Sequence, residues 1–132
     1  KNNNTLLEGG GVACYFDSNP TFNNVTISNN NVGWGNGGGI YCFESNPIIL
    51  NTIITNNYAD MFGGGVYCEL SSPLFINVKI IYNGAFGRGG GLSMSHSTAH
   101  LQSVVIGNNT ANAGGGIYCQ FSTPFIVNTT IF

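Results

Sequence analysis

The sequence predicts an all-β fold: a parallel solenoid of five coils of about 26 residues, each made of three short strands and three turns. Three observations predict it. A six-residue unit recurs as GGGVAC (9–14), GGGIYC (37–42), GGGVYC (63–68), GGGLSM (89–94) and GGGIYC (114–119), with steps of 28, 26, 26 and 25 residues, and a period of this size marks a solenoid. Further columns keep the same phase in every copy. The segments between the Gly, Pro, Ser and Asn positions are short and rich in β-branched residues, which suits strands.

Taken in order, each coil opens on its glycine triplet, at Gly9, Gly37, Gly63, Gly89 or Gly114. Three glycines would cost a helix about 3 kcal/mol, but a bend gains close backbone approach and access to positive φ. The first strand follows, with Val12 and Cys14, Ile40 and Cys42, Val66 and Cys68, and Ile117 and Cys119 each two apart and so on one inward face. A serine column comes next (Ser18, Ser45, Ser71, Ser97, Ser122), then Pro20, Pro47, Pro73 and Pro124, with Ala99 in the fourth copy. Proline at a strand start loses little by lacking its N–H. The second strand carries Phe22, Ile49, Phe75, Leu101 and Ile126 inward.

An asparagine column (Asn24, Asn51, Asn77 and Asn128, with Ser103 in the fourth copy) is expected as an inward ladder at the next turn. The third strand carries Ile27, Ile54, Ile80, Ile106 and Ile131 as a core ladder, with Val25, Thr52, Val78, Val104 and Thr129 on the same face. A second asparagine column, Asn30, Asn57, Asn83 and Asn109, closes the coil. Stacked asparagines can satisfy backbone groups that tight corners leave unpaired. Right-handedness follows from the crossover preference of parallel strands, so the expected fold is a right-handed parallel β-helix forming one domain over residues 1–132.

Composition narrows function by exclusion. Lys and Arg total 3, and Asp and Glu total 5, so there is no basic footprint for nucleic acid. No apolar run is long enough for a membrane-spanning helix. The four cysteines are expected as one buried file of free thiols, with Met94 in the same slot of the fourth copy. In-register stacking points their Cβ atoms the same way, a poor geometry for a disulfide, and a single file offers no converging zinc ligands. No metal and no organic cofactor is expected.

Catalysis on a carbohydrate would need clustered carboxylates. Glu8, Asp17, Glu44, Asp60 and Glu69 are spread through the repeats, and only His96, His100 and Arg88, with Glu69 one coil away, offer a candidate cluster. The chain is therefore expected not to be an enzyme. Tyr41, Tyr67 and Tyr118 alternate with the inward residues, so they point outward as a candidate contact stripe. Such a row could stack on sugar rings, bury against a partner, or simply suit a sheet face.

The segments NNYADMFGGGVYC and NNTANAGGGIYC give the pattern a resemblance. It resembles the repeat of secreted right-handed parallel β-helix proteins, and the passenger repeats of the chlamydial polymorphic outer-membrane proteins in particular. Those pair Phe-x-x-Asn with Gly-Gly-Ala-Ile. Here Ile54 to Asn57 and Ile106 to Asn109 give Ile-x-x-Asn, followed by Gly-Gly-Gly-Ile or Gly-Gly-Gly-Val. The resemblance implies an extracellular or cell-surface protein, and adhesins and matrix components are common among such proteins.

Neither terminal coil reads as a cap, and joining Phe132 to a second Lys1 makes a junction coil of 27 residues, within the observed range. The expected function is thus a structural extracellular protein that stacks head to tail on copies of itself. The alternative is a passenger fragment of a surface adhesin that contacts surface polysaccharide or a host cell surface.

Overall fold

A computed structural model describes residues 2–132 of the chain; Lys1, one partner in the junction coil, lies outside them. The chain enters through β1 (Asn4–Thr5). The first full coil lays down β2 (Val12–Tyr15), β3 (Thr21–Asn23), β4 (Thr26–Ser28) and β5 (Asn31–Val32). The second has β6 (Ile40–Phe43), β7 (Ile48–Leu50), β8 (Ile53–Thr55) and β9 (Tyr58–Ala59). The third has β10 (Val66–Glu69), β11 (Leu74–Ile76), β12 (Lys79–Ile81) and β13 (Gly84–Ala85). The fourth has β14 (Leu92–Ser95), β15 (His100–Gln102) and β16 (Val105–Gly107), and the fifth β17 (Ile117–Gln120), β18 (Phe125–Val127) and β19 (Thr130–Ile131).

Equivalent strands pair in parallel into three five-stranded sheets, ordered β17-β14-β10-β6-β2, β18-β15-β11-β7-β3 and β19-β16-β12-β8-β4. The structure adds a fourth sheet, β1-β5-β9-β13, of two-residue strands. The sequence reading took this segment as a turn. Two residues give no periodicity to read, and their pairing exists only because the coils already stack.

Register follows the columns. Ile27, Ile54, Ile80, Ile106 and Ile131 face one another in successive coils, as do Phe22, Ile49, Phe75, Leu101 and Ile126. Through the first four coils these columns, with Val66, Leu92 and Met94, form one continuous apolar core. Each coil bends at left-handed residues in matching places: a glycine such as Gly37 (φ 68°), a post-strand residue such as Leu70 (φ 50°), and asparagines such as Asn77 (φ 54°) and Asn56 (φ 55°). Gly38 answers a separate demand for space, because a Cβ there would stand 2.4 Å from the Gly64 carbonyl oxygen.

The second asparagine column is the inward ladder. The Asn30 Nδ2 donates to Asn57 Oδ1 at 2.8 Å, Asn57 to Asn83 at 3.0 Å, and Asn83 to Asn109 at 3.1 Å. Each of these Oδ1 atoms also accepts the backbone N–H of the asparagine one coil earlier. The second amide proton reaches back to a carbonyl: Asn57 to Ile27, Asn83 to Ile54, Asn109 to Ile80. Serine builds a second ladder, in which the Ser45 N–H donates to Ser71 Oγ and the Ser71 N–H to Ser97 Oγ.

The first asparagine column corrects the expectation. Asn24, Asn51, Asn77 and Asn128 are exposed, not inward. They sit at left-handed corners (φ 47–56°), which asparagine tolerates better than most residues and which turn the side chain out to solvent. A ladder still forms there on the surface, with Asn51 Nδ2 donating to Asn23 Oδ1 at 3.0 Å and Asn77 Nδ2 to Asn51 Oδ1 at 2.8 Å.

Candidate functional site

Cysteine stacking is the simplest arrangement to trace. Cys14, Cys42, Cys68, Met94 and Cys119 follow one another in register on the inner face of the first sheet. All four cysteines are free, and Cys14, Cys42 and Cys68 are buried. A hydrogen bond to Cys42, then burial, pushes the Cys14 thiol far up. At Cys42 the bond with Cys14 pulls the thiol down, but the bond with Cys68 and burial outweigh it and the net shift is well upward. Thiols held protonated in this way are poor nucleophiles and poor metal ligands. Cys119 departs from the expected buried file: it is exposed, on the outer face of the fifth coil. Ile131 keeps its place in its ladder opposite Ile106 but is 48% exposed on the same face.

Outside that sheet the tyrosines form a packed layer. Tyr41 and Tyr67 do face away from the core, but they are only 4% and 7% exposed, so the expected open contact stripe is largely covered. The Tyr41 and Tyr67 rings stack at 5.6 Å and 20°, Tyr15 packs on Tyr41 at 5.3 Å, and Phe62 stacks on Tyr67 at 6.1 Å. Rings on neighbouring strands about 4.8 Å apart shield one another's faces. Ser93 stands in register between Tyr67 and Tyr118 and breaks the stack, leaving a notch of about 10 Å³.

Charged groups pin this layer at its rim. The Tyr15 hydroxyl donates to Glu8 Oε2 at 2.7 Å. Arg88 Nη1 donates to the Tyr118 hydroxyl at 2.8 Å, with its guanidinium 5.0 Å from the Tyr118 ring centre. Burial and then the Glu8 bond push the Tyr15 hydroxyl up to about 12, and burial and then Glu69 do the same at Tyr67.

The candidate catalytic residues do not converge. His96 stacks on Phe121 at 4.9 Å and meets Ser95 Oγ at 3.1 Å. His100 packs on Phe125 in the second sheet at 5.6 Å, and Arg88 is committed to Tyr118. Each imidazole has an aromatic neighbour in the next coil instead of an acid. Among the described residues, no three His, Cys, Asp or Glu side chains gather in a way that could hold a metal ion.

Two open grooves flank the unexpected fourth sheet. One, of about 410 Å³, is lined by Trp34, Asp60, Met61 and Phe86. The other, of about 420 Å³, is lined by Tyr58, Tyr82, Gly84 and Thr110 with asparagines at its rim. Tyr58 is 40% and Tyr82 57% exposed. Sequence reasoning passed over both grooves. The available signal was a break in pattern: Tyr82 occupies the corner held elsewhere by Asn29, Asn56 and Asn108, and Tyr58 stands in register with Asn31 and Gly84.

No curated protein and no solved structure matches the chain. The family described as "right handed beta helix region" matches residues 1–132, the whole sequence. With parallel sheets stacked in register over five coils, the chain belongs to the right-handed β-helix family.

Proposed function

We propose that this is a structural solenoid of an extracellular or cell-surface protein, which associates end to end with copies of itself. The observation that carries the reading is the constant register of the coils, in which the column of Ile27, Ile54, Ile80, Ile106 and Ile131 keeps its place from the first coil to the fifth. A copy set on the fifth coil in that register would continue the Leu101–Ile126 and Ile106–Ile131 ladders. Val12, Phe22 and Val25 of the first coil, which pack against the core, carry the same columns and would receive it. A second chain continuing the register would cover both faces with parallel ladders, the general mode of strand addition at an open edge. The contact is heterologous and does not close on itself, so it propagates. A formal charge of −2 on 132 residues puts little repulsion in the way. The resemblance to chlamydial passenger repeats supports the surface location.

Sedimentation velocity over a wide concentration range tests this. The natural chain is expected to form species that grow with concentration, while Ile131→Lys, which would bury an unpaired ammonium at the joint, stays monomeric. A natural chain that remains monomeric throughout would remove the proposal.

A second reading, contact with carbohydrate, is favoured by the exposed aromatic side chains beside the fourth sheet: Trp34, Tyr58, Tyr82 and Phe86.

A further inference from the structure

We infer that the cleft between Tyr58, Tyr82 and Thr110 is a binding site for a neutral glycan chain. This rests on the carbohydrate reading and names its ligand class and residues. It is independent of end-to-end stacking, because the cleft lies on the flank of the solenoid and stays open in a stack.

Four features of the cleft point to that ligand. Its floor is Gly84, in register with Tyr58 and bridged to Thr110. Gly84 does not adopt a left-handed φ, so the backbone does not demand glycine there. What glycine provides is space: a Cβ would meet the Tyr58 ring at 3.2 Å and the Thr110 hydroxyl at 3.4 Å. A slot therefore opens between an aromatic face and a hydroxyl.

The two rings are exposed and lie in adjacent coils, diagonal to each other. Aromatic faces stack on the C–H faces of pyranose rings by burying apolar area while leaving the hydroxyl groups free. From Tyr58 to Thr110 the cleft crosses two coil spacings, about 10 Å, which matches the advance of two linked sugar residues.

The rim supplies hydrogen-bonding groups suited to sugar hydroxyls. Asn56 and Asn108 are exposed at left-handed corners flanking the cleft. Among the described residues, their side-chain amides have no hydrogen-bonding partner, unlike those of Asn51 and Asn77, which are tied into the surface ladder. Each presents both donors and an acceptor.

No charged side chain lines the cleft. Asp60 lines the neighbouring groove and acts on the Tyr58 hydroxyl. A polyuronate would find no cation here and one nearby carboxylate to repel it, whereas a neutral polyol meets only rings, amides and hydroxyls.

The test is isothermal titration calorimetry of the full chain with cellohexaose, mannohexaose and xylohexaose, and with hexagalacturonate as the anionic probe. At least one neutral hexasaccharide is expected to bind and hexagalacturonate not to. Tyr58→Ala and Tyr82→Ala should each weaken binding about tenfold. Both side chains are exposed and outside the core, and thermal unfolding checks that the variants remain folded. Gly84→Val fills the floor and should abolish binding without removing any ring. Neutral binding that these three variants leave unchanged would overturn the cleft while leaving the carbohydrate reading in place. Equal binding of hexagalacturonate would overturn the charge argument, and no binding by any probe would overturn both.

Discussion

Replacing Asn57 by alanine probes the element that most distinguishes this core from a simple apolar stack. Asn57 is 1% exposed. Its Oδ1 accepts the Asn30 backbone N–H at 3.1 Å and Asn30 Nδ2 at 2.8 Å, and its own Nδ2 donates to the Ile27 carbonyl and to Asn83 Oδ1, both at 3.0 Å. Asn57→Ala leaves two Asn30 donors without their acceptor and takes a donor from the Ile27 carbonyl. The Asn83 oxygen keeps the Asn57 backbone N–H at 3.0 Å, so it is not orphaned. A buried polar group left unpaired costs about 1–3 kcal/mol, so three affected groups give a loss of about 3–6 kcal/mol once entry of water into the vacated space is allowed for. That is a large share of the 5–15 kcal/mol typical of a whole domain. Urea unfolding followed by circular dichroism measures it, at concentrations where the chain is monomeric. Asn31→Ala, one residue beyond the ladder and exposed on β5, is the control and should change stability by less than about 0.5 kcal/mol. If Asn57→Ala costs less than about 1 kcal/mol, or no more than the control, the ladder does not carry the corner as argued here.

Other outcomes follow from the same geometry. Alkylation of the folded monomer should label one thiol, Cys119, and denaturation should expose all four; in stacked chains Cys119 should be protected too. Labelling of Cys42 or Cys68 in the folded state would contradict their burial. Tyr15 and Tyr67 have hydroxyls raised to about 12, above the ordinary tyrosine value, so the folded state holds protons that the unfolded chain releases. Their contribution to stability is complete below about pH 10 and is lost as pH climbs through about 12, so denaturant midpoints should fall over that window. Midpoints that stay flat between those values would show that the aromatic layer does not hold its hydroxyls neutral. Ser93→Tyr should lower the unfolding midpoint, because a phenol ring is far larger than the notch of about 10 Å³ between Phe62, Tyr67 and Tyr118; a midpoint that stays the same or rises would mean that the aromatic layer opens to admit it.

Much of the coil was legible because repetition turns single residues into columns. An isoleucine at position 80 says little alone, but Ile27, Ile54, Ile80 and Ile106 at a constant phase identify a core ladder, and the pairing keeps that phase. Columns show which residues share an environment and do not show which side of the backbone that environment lies on. Asn24 and Asn30 both recur as asparagine, yet the first is exposed at a left-handed corner and the second is buried. The serine corner hides its geometry in another way. Phe16, Glu44, Leu70, His96 and Phe121 all take φ of 46–50°, and their side chains share no chemistry that signals it. The bend is held by the neighbouring serines, through bonds such as Ser71 Oγ to the Glu69 carbonyl. Tyr41 and Tyr67 point away from the core as alternation requires, but alternation cannot report that adjacent rings and Phe62 would cover them. The cleft at Gly84 was hidden because its residues break the columns, and reading by column gives the least weight to such positions.

Cryo-electron microscopy of the concentrated natural chain tests end-to-end association most directly. The account predicts unbranched filaments with an axial rise of about 24 Å per chain, five coils at about 4.8 Å each, in which Cys119 of one copy lies against Cys14 of the next. Discrete single solenoids at the highest attainable concentration, or filaments in which the chains pair side by side with their coil faces still open, would contradict it.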